Sequence, residues 1–262
     1  MSESRKRIAL VTGSSSGIGA AIAVELAKQG YSLILHGRSS SDKLRQTQQA
    51  IANLNCEVKL VAADFSQRAN LYPFCESCWN CFGHVDVLVN NAGGDVLTGT
   101  KANADFESKL DYLLNVDVVA TLMLSRNFGR RMIELAATAA DSSGQFSIIN
   151  IGWDQAEQGM AGDSGEMFAT TKGAIMSMTR SLAQSLAPVV RVNCVAPGWI
   201  RTQWGSGTSE HWQNRAASES LMNRWGTPQD VANVVTFLAG DRAGFISGQI
   251  VNANGGFQFF KE

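Results

Sequence analysis

The residues that could do chemistry fall in two segments, one rich in glycine and one built around an isolated lysine. TGSSSGIG occupies residues 12–19, directly after an apolar run and before a helical pattern. Gly13 permits a sharp turn, and Gly17 and Gly19 let the backbone approach a ligand and let the helix pack on the strand. Free N–H groups and the helix dipole at such a junction attract an anion, so the segment predicts a phosphate-binding loop of a dinucleotide site.

The isolated lysine lies in MFATTKGAI, residues 167–175, where Lys172 is the only charged residue. The segment has a helical pattern, and Phe168 lies one turn earlier on the same face. A phenylalanine offers no polar atom. A ligand over this face could therefore be bound by the ammonium group, but it would receive no hydrogen bond from position 168.

The second apolar run ends in His36-Gly37-Arg38-Ser39, which bears on the choice of dinucleotide. A site for NAD(H) usually has a carboxylate at this point, for the ribose hydroxyls of the adenosine. Here a guanidinium and a hydroxyl group could instead meet a 2′-phosphate, which favours NADP(H). The alternative is that Arg38 is a solvated surface charge.

Composition narrows the class of protein. The chain has 262 residues, of which 45% are hydrophobic and 17% charged, and its formal net charge is -1. These values predict one large α/β domain over residues 1–262, with neither a nucleic acid nor a membrane as partner. No apolar run reaches the length of a transmembrane helix, and MSESRKR leads into the first strand without a signal-peptide pattern, so we expect a cytoplasmic protein.

Five cysteines are an odd number in a chain of this length, which argues against a disulfide framework. Cys75, Cys78 and Cys81 have the spacing of an iron–sulfur or zinc motif, but Val85 stands where a fourth ligand would fall. Their helical pattern places the thiols along one stripe, so we predict buried free cysteines and no metal site.

Apolar runs alternate with helical patterns along the whole chain. Val-, Ile- and Leu-rich runs without alternation are typical of strands buried on both faces, and they fall at residues 7–12, 31–37, 57–63, 85–90, 146–151, 190–195 and 249–253. The order predicts an α/β, Rossmann-like, three-layer doubly wound parallel sheet of about seven strands. Thr227 and Pro228 mark the start of the last long helix. The irregular stretch at 198–226 predicts a lobe that covers the substrate.

Eight spaced motifs resemble those of the short-chain dehydrogenase/reductase family, in its shorter single-domain branch. The motifs are TGSSSGIG, Asp64 in VAADF, NNAG at 90–93, Asn115 in LNVD, Lys172, PGWIRT at 197–202, RWGTPQDVA at 224–232 and SGQIVNANGG near the end. The resemblance covers nearly the whole chain. It implies a seven-stranded sheet, a nicotinamide dinucleotide and hydride transfer between an alcohol and a carbonyl.

The resemblance also implies which residues hold the cofactor. The pyrophosphate and its sugar would be held by Gly13, Ser15, Ser16 and Ile18, and the adenine by Asp64 and Phe65. The adenine ribose would be held by Asn91, Ala92 and Gly93, and the nicotinamide end by Pro197, Gly198, Ile200 and Thr202. Lys172 would bind the nicotinamide ribose. A homodimer or homotetramer is implied, with the helices around 105–139 and 166–187 at the main interface.

The sequence departs from the family at two catalytic positions. The family uses Asn, Ser, Tyr and Lys as a unit, and Asn115 and Lys172 match the first and last. Phe168 stands where the family has tyrosine, and Trp153 stands at or next to the serine position. Phenylalanine cannot transfer a proton, and an indole offers one N–H donor. Ordinary carbonyl chemistry should therefore be slow.

Two functions remain open from the sequence. One is an NADP(H)-dependent oxidoreductase with an atypical active site, acting on a small-molecule substrate that could be flat or apolar. The other is a catalytically silent NADP(H) sensor or scaffold. Substitute acids could come from Asp95, Asp154, Glu157 or Glu166, although each is interpreted as a solvated loop carboxylate. Four tryptophans of the covering lobe could form a ligand wall or fill a core, namely Trp199, Trp204, Trp212 and Trp225.

Overall fold

The computed structural model describes residues 5–138, 145–202 and 210–257. Trp204 and residue 139 lie outside the described residues. Among the described helices, none combines the length and the apolar character that a membrane crossing requires.

One parallel sheet forms the centre of the fold. Its strands are β1 Ile8–Val11, β2 Ser32–Gly37, β3 Val58–Ala62, β4 Val87–Asn90, β5 Phe146–Ile151, β6 Val190–Pro197 and β7 Ile250–Ala253. They lie in the order β3-β2-β1-β4-β5-β6-β7, and every neighbouring pair is parallel. The prediction of a doubly wound parallel sheet of about seven strands is confirmed.

The central strands form because their side chains are buried on both faces. All residues of β1, β2, β4, β5 and β6 are buried, whereas the edge strands β3 and β7 are partly accessible. Continuous apolar runs have no solvent face to alternate with, so they suit this environment. The strands begin and end within two residues of the predicted runs.

Helices cover both faces of the sheet. They are α1 Gly17–Lys28, α2 Asp42–Ala52, α3 Leu71–Phe82, α4 Phe106–Leu113, α5 Ala120–Ala136, α6 Asp163–Leu186, α7 Glu210–Ser218 and α8 Pro228–Ala239. The apolar side chains of α1, α2 and α8 share one core with the sheet, and those of α3, α5 and α6 share the other. The three-layer arrangement follows from these two cores.

The predicted start of the last long helix is confirmed. Thr227 precedes α8, and its side chain accepts a hydrogen bond from the backbone of Asp230 while the Asp230 carboxylate accepts one from the backbone of Thr227. This reciprocal cap satisfies two of the free N–H groups at the helix start. The guanidinium of Arg224 holds the pKa of Asp230 well below its ordinary value.

The three cysteines of CESCWNC lie on α3. Cys75 and Cys78 are buried against the sheet, and Cys81 is half-buried. Burial raises the pKa of Cys75 to about 12 and raises that of Cys78 as well. Within the described residues no group of three His, Cys, Asp or Glu side chains could hold a metal ion.

A wide helical turn joins α4 to α5 without a break. Residues Leu114–Val119 form a π-helix, in which one extra residue is accommodated in the turn. The extra residue shifts the phase of every side chain that follows. Asp117 lies within this turn and is buried.

A buried chain of hydrogen bonds fixes α5 and α6 against the sheet. Asn90 at the end of β4 donates from Nδ2 to Ser125 of α5 and to Oδ1 of Asn150 on β5, each at 2.9 Å. Asn150 in turn donates to Thr179 of α6, also at 2.9 Å. Buried amides need such partners, so the two helices hold a defined register on the sheet.

Candidate functional site

A single cleft runs along the carboxyl edge of the sheet and has a volume of about 930 Å³. It crosses the point where β1 and β4 are neighbours, the place where the order of strands reverses. Connections leave these two strands toward opposite faces, which opens a crevice in doubly wound folds. Its volume falls within the usual range for sites of small ligands and cofactors.

The glycine-rich loop forms one wall of the cleft. Gly13 has a φ of +65°, and a Cβ atom there would lie 2.8 Å from Cα of Ala92. Asn91 fixes the loop by donating to the carbonyl oxygens of Thr12 and Gly13 at 2.9 and 3.1 Å. The loop therefore tolerates no side chain at position 13.

The start of α1 faces the cleft with free backbone donors. Ser16 precedes the helix, and its side chain makes no capping hydrogen bond. The first turn holds no acidic residue. An uncapped helix start of this kind is suited to bind an anion.

A buried imidazole supports the loop from below. His36, at the end of β2, accepts a hydrogen bond at Nδ1 from the Gly13 N–H at 3.1 Å, and its Nε2 lies 3.0 Å from the Ala63 carbonyl oxygen, to which it donates. Burial lowers the pKa of His36 to about 4, against a smaller opposing effect of the bond to Ala63. The ring is thus neutral and stacks on Phe65 with centroids 4.2 Å apart. Nothing in the sequence indicates this role beyond the position of His36 at a strand end.

Positive charge collects at the β2 side of the cleft. Arg38 and Lys43 both line it, and Lys43 comes from the first turn of α2. The Arg38 guanidinium lies beside the hydroxyl of Tyr112. Burial raises the pKa of that hydroxyl, and Arg38 opposes the rise. Ser39 is exposed and does not line the cleft. Sequence reasoning missed Lys43, because a lysine in a polar helix resembles any surface charge.

Lys172 projects from α6 into the cleft and pairs with a buried carboxylate. Its Nζ lies 3.0 Å from Oδ2 of Asp117, which is 1% exposed. The contact is an ion pair that does not meet hydrogen-bond geometry, so the ammonium keeps donors for a ligand. The other carboxylate oxygen of Asp117 accepts the Gly94 N–H at 2.7 Å. Asp117 therefore joins the loop after β4 to α6.

Asn115 lies away from this group. Its Oδ1 accepts a hydrogen bond from Nε of Arg68 at 2.7 Å, and it does not line the cleft. Residues two apart on a helix point about 200° apart, so Asn115 and Asp117 cannot both face Lys172. The residue of this helix that meets Lys172 is Asp117, which sequence reasoning did not select.

Aromatic side chains wall the β5 and β6 side of the cleft. Trp153 follows β5 and meets Phe168 edge to face, with ring centroids 6.3 Å apart. Trp199 follows β6 and lies 5.5 Å from Trp212 of α7. All four are half-buried and line the cleft, and we call this part of it the aromatic chamber.

Both interpretations of the lobe tryptophans apply, each to different residues. Trp225 is buried behind Trp199 and donates its indole N–H to the Gln213 carbonyl oxygen, so it fills a core. Trp199 donates to Glu219 at 2.7 Å, and Arg215 pairs with the same carboxylate at 2.6 Å. Trp199 is thus held rigidly in the wall.

Of the four loop carboxylates, only Asp154 departs from the solvated state expected for it. It is 5% exposed, lies behind the cleft wall, and accepts a hydrogen bond from Asn254 at 3.0 Å. Burial raises the pKa of Asp154 to about 6. Glu157 and Glu166 are exposed and do not line the cleft.

Of these four loop carboxylates, Asp95 is the one that lines the cleft, on the exposed loop after β4. Burial acts to raise the pKa of Asp95, but hydrogen bonds from Thr98 and Leu97 outweigh it and hold that pKa below its ordinary value. Asp95 is therefore ionised at neutral pH.

The structure brings nearly all predicted cofactor contacts to this one cleft. Ser39 is the exception. The predicted contacts that line the cleft are Gly13, Ser15, Ser16, Ile18, Arg38, Asp64, Phe65, Asn91, Ala92, Gly93, Lys172, Pro197, Gly198, Ile200 and Thr202. Their roles in binding a cofactor stay predictions.

Comparisons with known proteins agree with the fold and extend over nearly the whole chain. A family model described as enoyl-(acyl carrier protein) reductase matches residues 13–258. A 3-oxoacyl-(acyl-carrier-protein) reductase of Aquifex aeolicus is 33% identical over 255 residues, which cover 95% of this chain and 96% of the relative. The short-chain reductase protein NovJ of Streptomyces niveus is 33% identical over an alignment that covers 97% of this chain and 94% of the relative.

Among solved structures, a short-chain dehydrogenase/reductase from Serratia marcescens superimposes with a TM-score of 0.83 at 30% identity. The superposition covers 96% of this chain and 97% of that one.

Asp117 and Lys172 should contribute to stability as a pair, so that their effects on the free energy of unfolding are not additive. We expect Asp117→Asn and Lys172→Met each to lower the free energy of unfolding by about 2 kcal/mol, because each leaves a partly buried charge without its partner. The double variant should lose less than the sum, with a coupling energy of about 1–2 kcal/mol. Urea unfolding of the four proteins measures the cycle. Asn115→Ala is the control, with a loss under about 0.5 kcal/mol, and strictly additive losses would contradict the pair.

Asp154 should make stability fall as pH rises through the weakly acidic range. Its folded pKa of about 6 lies above its ordinary value, so between roughly pH 4 and 6 the folded state binds more protons than the unfolded state. The free energy of unfolding should fall over that range by ~2 kcal/mol relative to Asp154→Asn, in which the amide still accepts from Asn254.

Urea unfolding at several pH values checks the Asp154 prediction. Glu157→Gln, an exposed neighbour, should keep the pH dependence of the unchanged protein. Identical pH profiles for Asp154→Asn and the unchanged protein would rule out a raised pKa.

Proposed function

The chain belongs to the short-chain dehydrogenase/reductase family of oxidoreductases, which use NAD or NADP, and we propose that it binds NADP(H) and transfers hydride through an atypical active site. The observation that carries the proposal is the cleft, where an uncapped helix start and two cations lie beside one another. A dinucleotide with an additional phosphate is a ligand that such a surface suits.

Three features of the cleft fit this cofactor. The bare backbone at Gly13 leaves no side chain between the loop and a pyrophosphate, and the free N–H groups of α1 can donate to its oxygens. Arg38 and Lys43 offer two positive charges where a carboxylate would be expected for NAD(H). Lys172 keeps donors for ribose hydroxyls despite its ion pair.

The remaining contacts follow the course of the cleft. Asp64 and Phe65 would flank the adenine. Its ribose would be lined by Asn91, Ala92 and Gly93, and the nicotinamide end would be held by Pro197, Gly198, Ile200 and Thr202. When bound, the dinucleotide supplies or accepts the hydride. The covering lobe around 198–226 would then exclude water from the reacting end, since Trp199 and Trp212 already line it.

The atypical part of the site is that no hydroxyl or carboxyl group among the described residues of the cleft is placed to transfer a proton beside Trp153 and Phe168. Phe168 would stand at the tyrosine position of the family pattern and Trp153 at or next to the serine position, and their rings meet edge to face. Asp154 lies behind the wall, and Asp95 is held in its ionised form. The hydroxyl of Tyr112 lies beside Arg38 at the opposite side of the cleft. A proton would therefore have to come from water.

A second candidate function is a catalytically silent NADP(H) sensor or scaffold. The contact of Trp153 with Phe168 favours it, because two hydroxyl groups are replaced by rings that fill the same space. An aromatic wall at the expected nicotinamide end of the cleft favours an enzyme instead, since a scaffold has no need of one.

Binding of NADPH should depend on Arg38. We expect NADPH to quench tryptophan fluorescence with a lower Kd than NADH, and Arg38→Gln to raise the Kd for NADPH by about 10- to 100-fold while that for NADH stays unchanged. The reason is the loss of a charge-assisted contact to the 2′-phosphate. Arg45→Gln, an exposed arginine on the same helix as Lys43, is the control. Equal losses for both dinucleotides would argue against a 2′-phosphate contact, and no binding of either would defeat the proposal.

Restoring one hydroxyl group should not restore carbonyl reduction. Phe168→Tyr alone should change the NADPH-dependent reduction of a ketone and enone panel by less than about tenfold, because Trp153 still fills the oxyanion side. Phe168→Tyr with Trp153→Ser should gain about 10²- to 10⁴-fold. Absorbance of NADPH measures both rates.

The controls for this series separate the two candidate functions. Phe245→Tyr adds a hydroxyl group to an exposed phenylalanine that does not line the cleft, and it should show the activity of the unchanged protein. A large recovery from Phe168→Tyr alone would show that Trp153 does not fill the serine position. Tight NADPH binding without turnover of any substrate would favour the silent sensor.

A further inference from the structure

The aromatic chamber has a composition that is unusual for a site that reduces neutral carbonyl groups. Four half-buried aromatic rings form its walls, from Trp153, Phe168, Trp199 and Trp212. Faces of aromatic rings carry partial negative charge and attract cations. The chamber already shows this attraction from its outer side, where the Arg215 guanidinium lies 5.0 Å from the ring centre of Trp212 and 5.8 Å from that of Trp199.

The formal charges around the chamber leave room for a cation. Lys172 is the ammonium group nearest to it, and the buried carboxylate of Asp117 neutralises that charge at 3.0 Å. Arg215 is matched by Glu219 at 2.6 Å. Asp95 adds a carboxylate at the cleft wall that is ionised. The net charge of these groups is negative, while Arg38 and Lys43 lie at the other side, where the strands β2 and β3 end.

The chamber also lacks an activated acid among the described residues that line it. Ser15, Ser16 and Thr202 lie at the glycine loop, and the Tyr112 hydroxyl meets Arg38. Ser164 lines the cleft one turn before Phe168, but no described hydrogen bond joins its hydroxyl to a base. A hydroxyl group without such a partner is a weak proton donor.

Hydride addition to a neutral carbonyl creates a negative oxygen, which needs a donor or an acid. Addition to an iminium ion, C=N⁺, does not. The hydride forms a C–H bond at the carbon, the π pair moves to nitrogen, and the cation becomes a neutral amine as the reduced dinucleotide is oxidised. No proton enters or leaves, so atoms and electrons balance without the missing hydroxyl groups.

We propose that the aromatic chamber binds a planar organic cation and that the chain's hydride acceptor is an iminium ion. The hydride half of the proposal rests on the proposed NADP(H)-dependent function, whereas the binding half does not. Because the substrate loses its charge during the reaction, the rings and Asp95 favour the bound substrate over the transition state. They should therefore act on KM more than on kcat.

The binding half is tested without cofactor or turnover. Trimethylphenylammonium and tert-butylbenzene have the same shape and differ by one charge, which makes them a matched pair of probes. Titration calorimetry or tryptophan fluorescence should show the ammonium ion binding about tenfold tighter or more. Equal Kd values for the two probes would overturn the proposal, whatever the protein does with NADPH.

Variants locate the cation in the chamber. Asp95→Asn keeps an oxygen to accept the N–H groups of Leu97 and Thr98 and loses only the charge, so the Kd of the ammonium probe should rise about three- to tenfold. Trp212→Leu should weaken it by a similar factor, while the Kd of tert-butylbenzene changes less. Asp111→Asn, an exposed carboxylate that does not line the cleft, is the matched control. Loss of binding in Asp111→Asn, or none in Asp95→Asn and Trp212→Leu, would place the probe elsewhere and overturn the proposal.

The hydride half is tested with N-methyl-dihydroisoquinolinium and with tetralone, a bicyclic ketone of similar size. With NADPH, and after subtraction of the uncatalysed rate, kcat/KM for the iminium ion should exceed that for the ketone by about 10²-fold or more. Its value should stay flat with pH above neutrality, because no proton is transferred. In Asp95→Asn the KM for the iminium ion should rise and kcat should not fall, because the lost contact stabilises the bound substrate more than the transition state.

The outcomes separate this inference from the function on which it rests. Reduction of the ketone at least as fast as the iminium ion would overturn the inference and leave NADP(H)-dependent reduction in place. Failure to bind NADPH would remove the proposed function and the hydride half together, while tighter binding of the ammonium probe would still support the cation site.

Discussion

All seven strands point the same way, and this constraint shapes the site more than any single contact. Every loop that follows a strand emerges at one edge, so the glycine loop, His36, the loop after β4, Trp153 and Trp199 meet there although they are far apart in the chain. The reversal of strand order between β1 and β4 then opens the cleft. The residues differ in chemistry, but their common location has one cause.

The helices hold their places through buried polar contacts as well as through apolar packing. Asn90 and Asn150 fix the register of α5 and α6, and Asp117 then connects the loop after β4 to Lys172. Breaking any of these buried hydrogen bonds would be costly, so the helices have little freedom to slide. The geometry around Lys172 is consequently determined by residues that never reach the cleft surface.

Much of this arrangement could be predicted from the sequence, and the limits have physical reasons. Strand positions follow from unalternating apolar runs, and the glycine loop follows from its place between a strand and a helix. Asn115 was selected by its motif and Asp117 was not considered, because the π-helix between α4 and α5 alters the phase of the side chains and leaves no mark in residue spacing. Asp154 is buried through Asn254, a partner 100 residues away, which local sequence cannot reveal. Trp225 and Trp199 differ in exposure although both lie in a segment without periodicity.

The imidazole of His36 can report whether a ligand occupies the cleft. Both ring nitrogens are hydrogen-bonded and the ring is buried, so its Nε2 proton is sheltered from exchange with water. The ring also stacks on Phe65, which lines the cleft on its other side. A ligand that packs against Phe65 would change the chemical shift of the Nε2 proton of His36 without contacting either ring nitrogen. One nuclear resonance from a residue that binds nothing would thus report whether the cleft is filled.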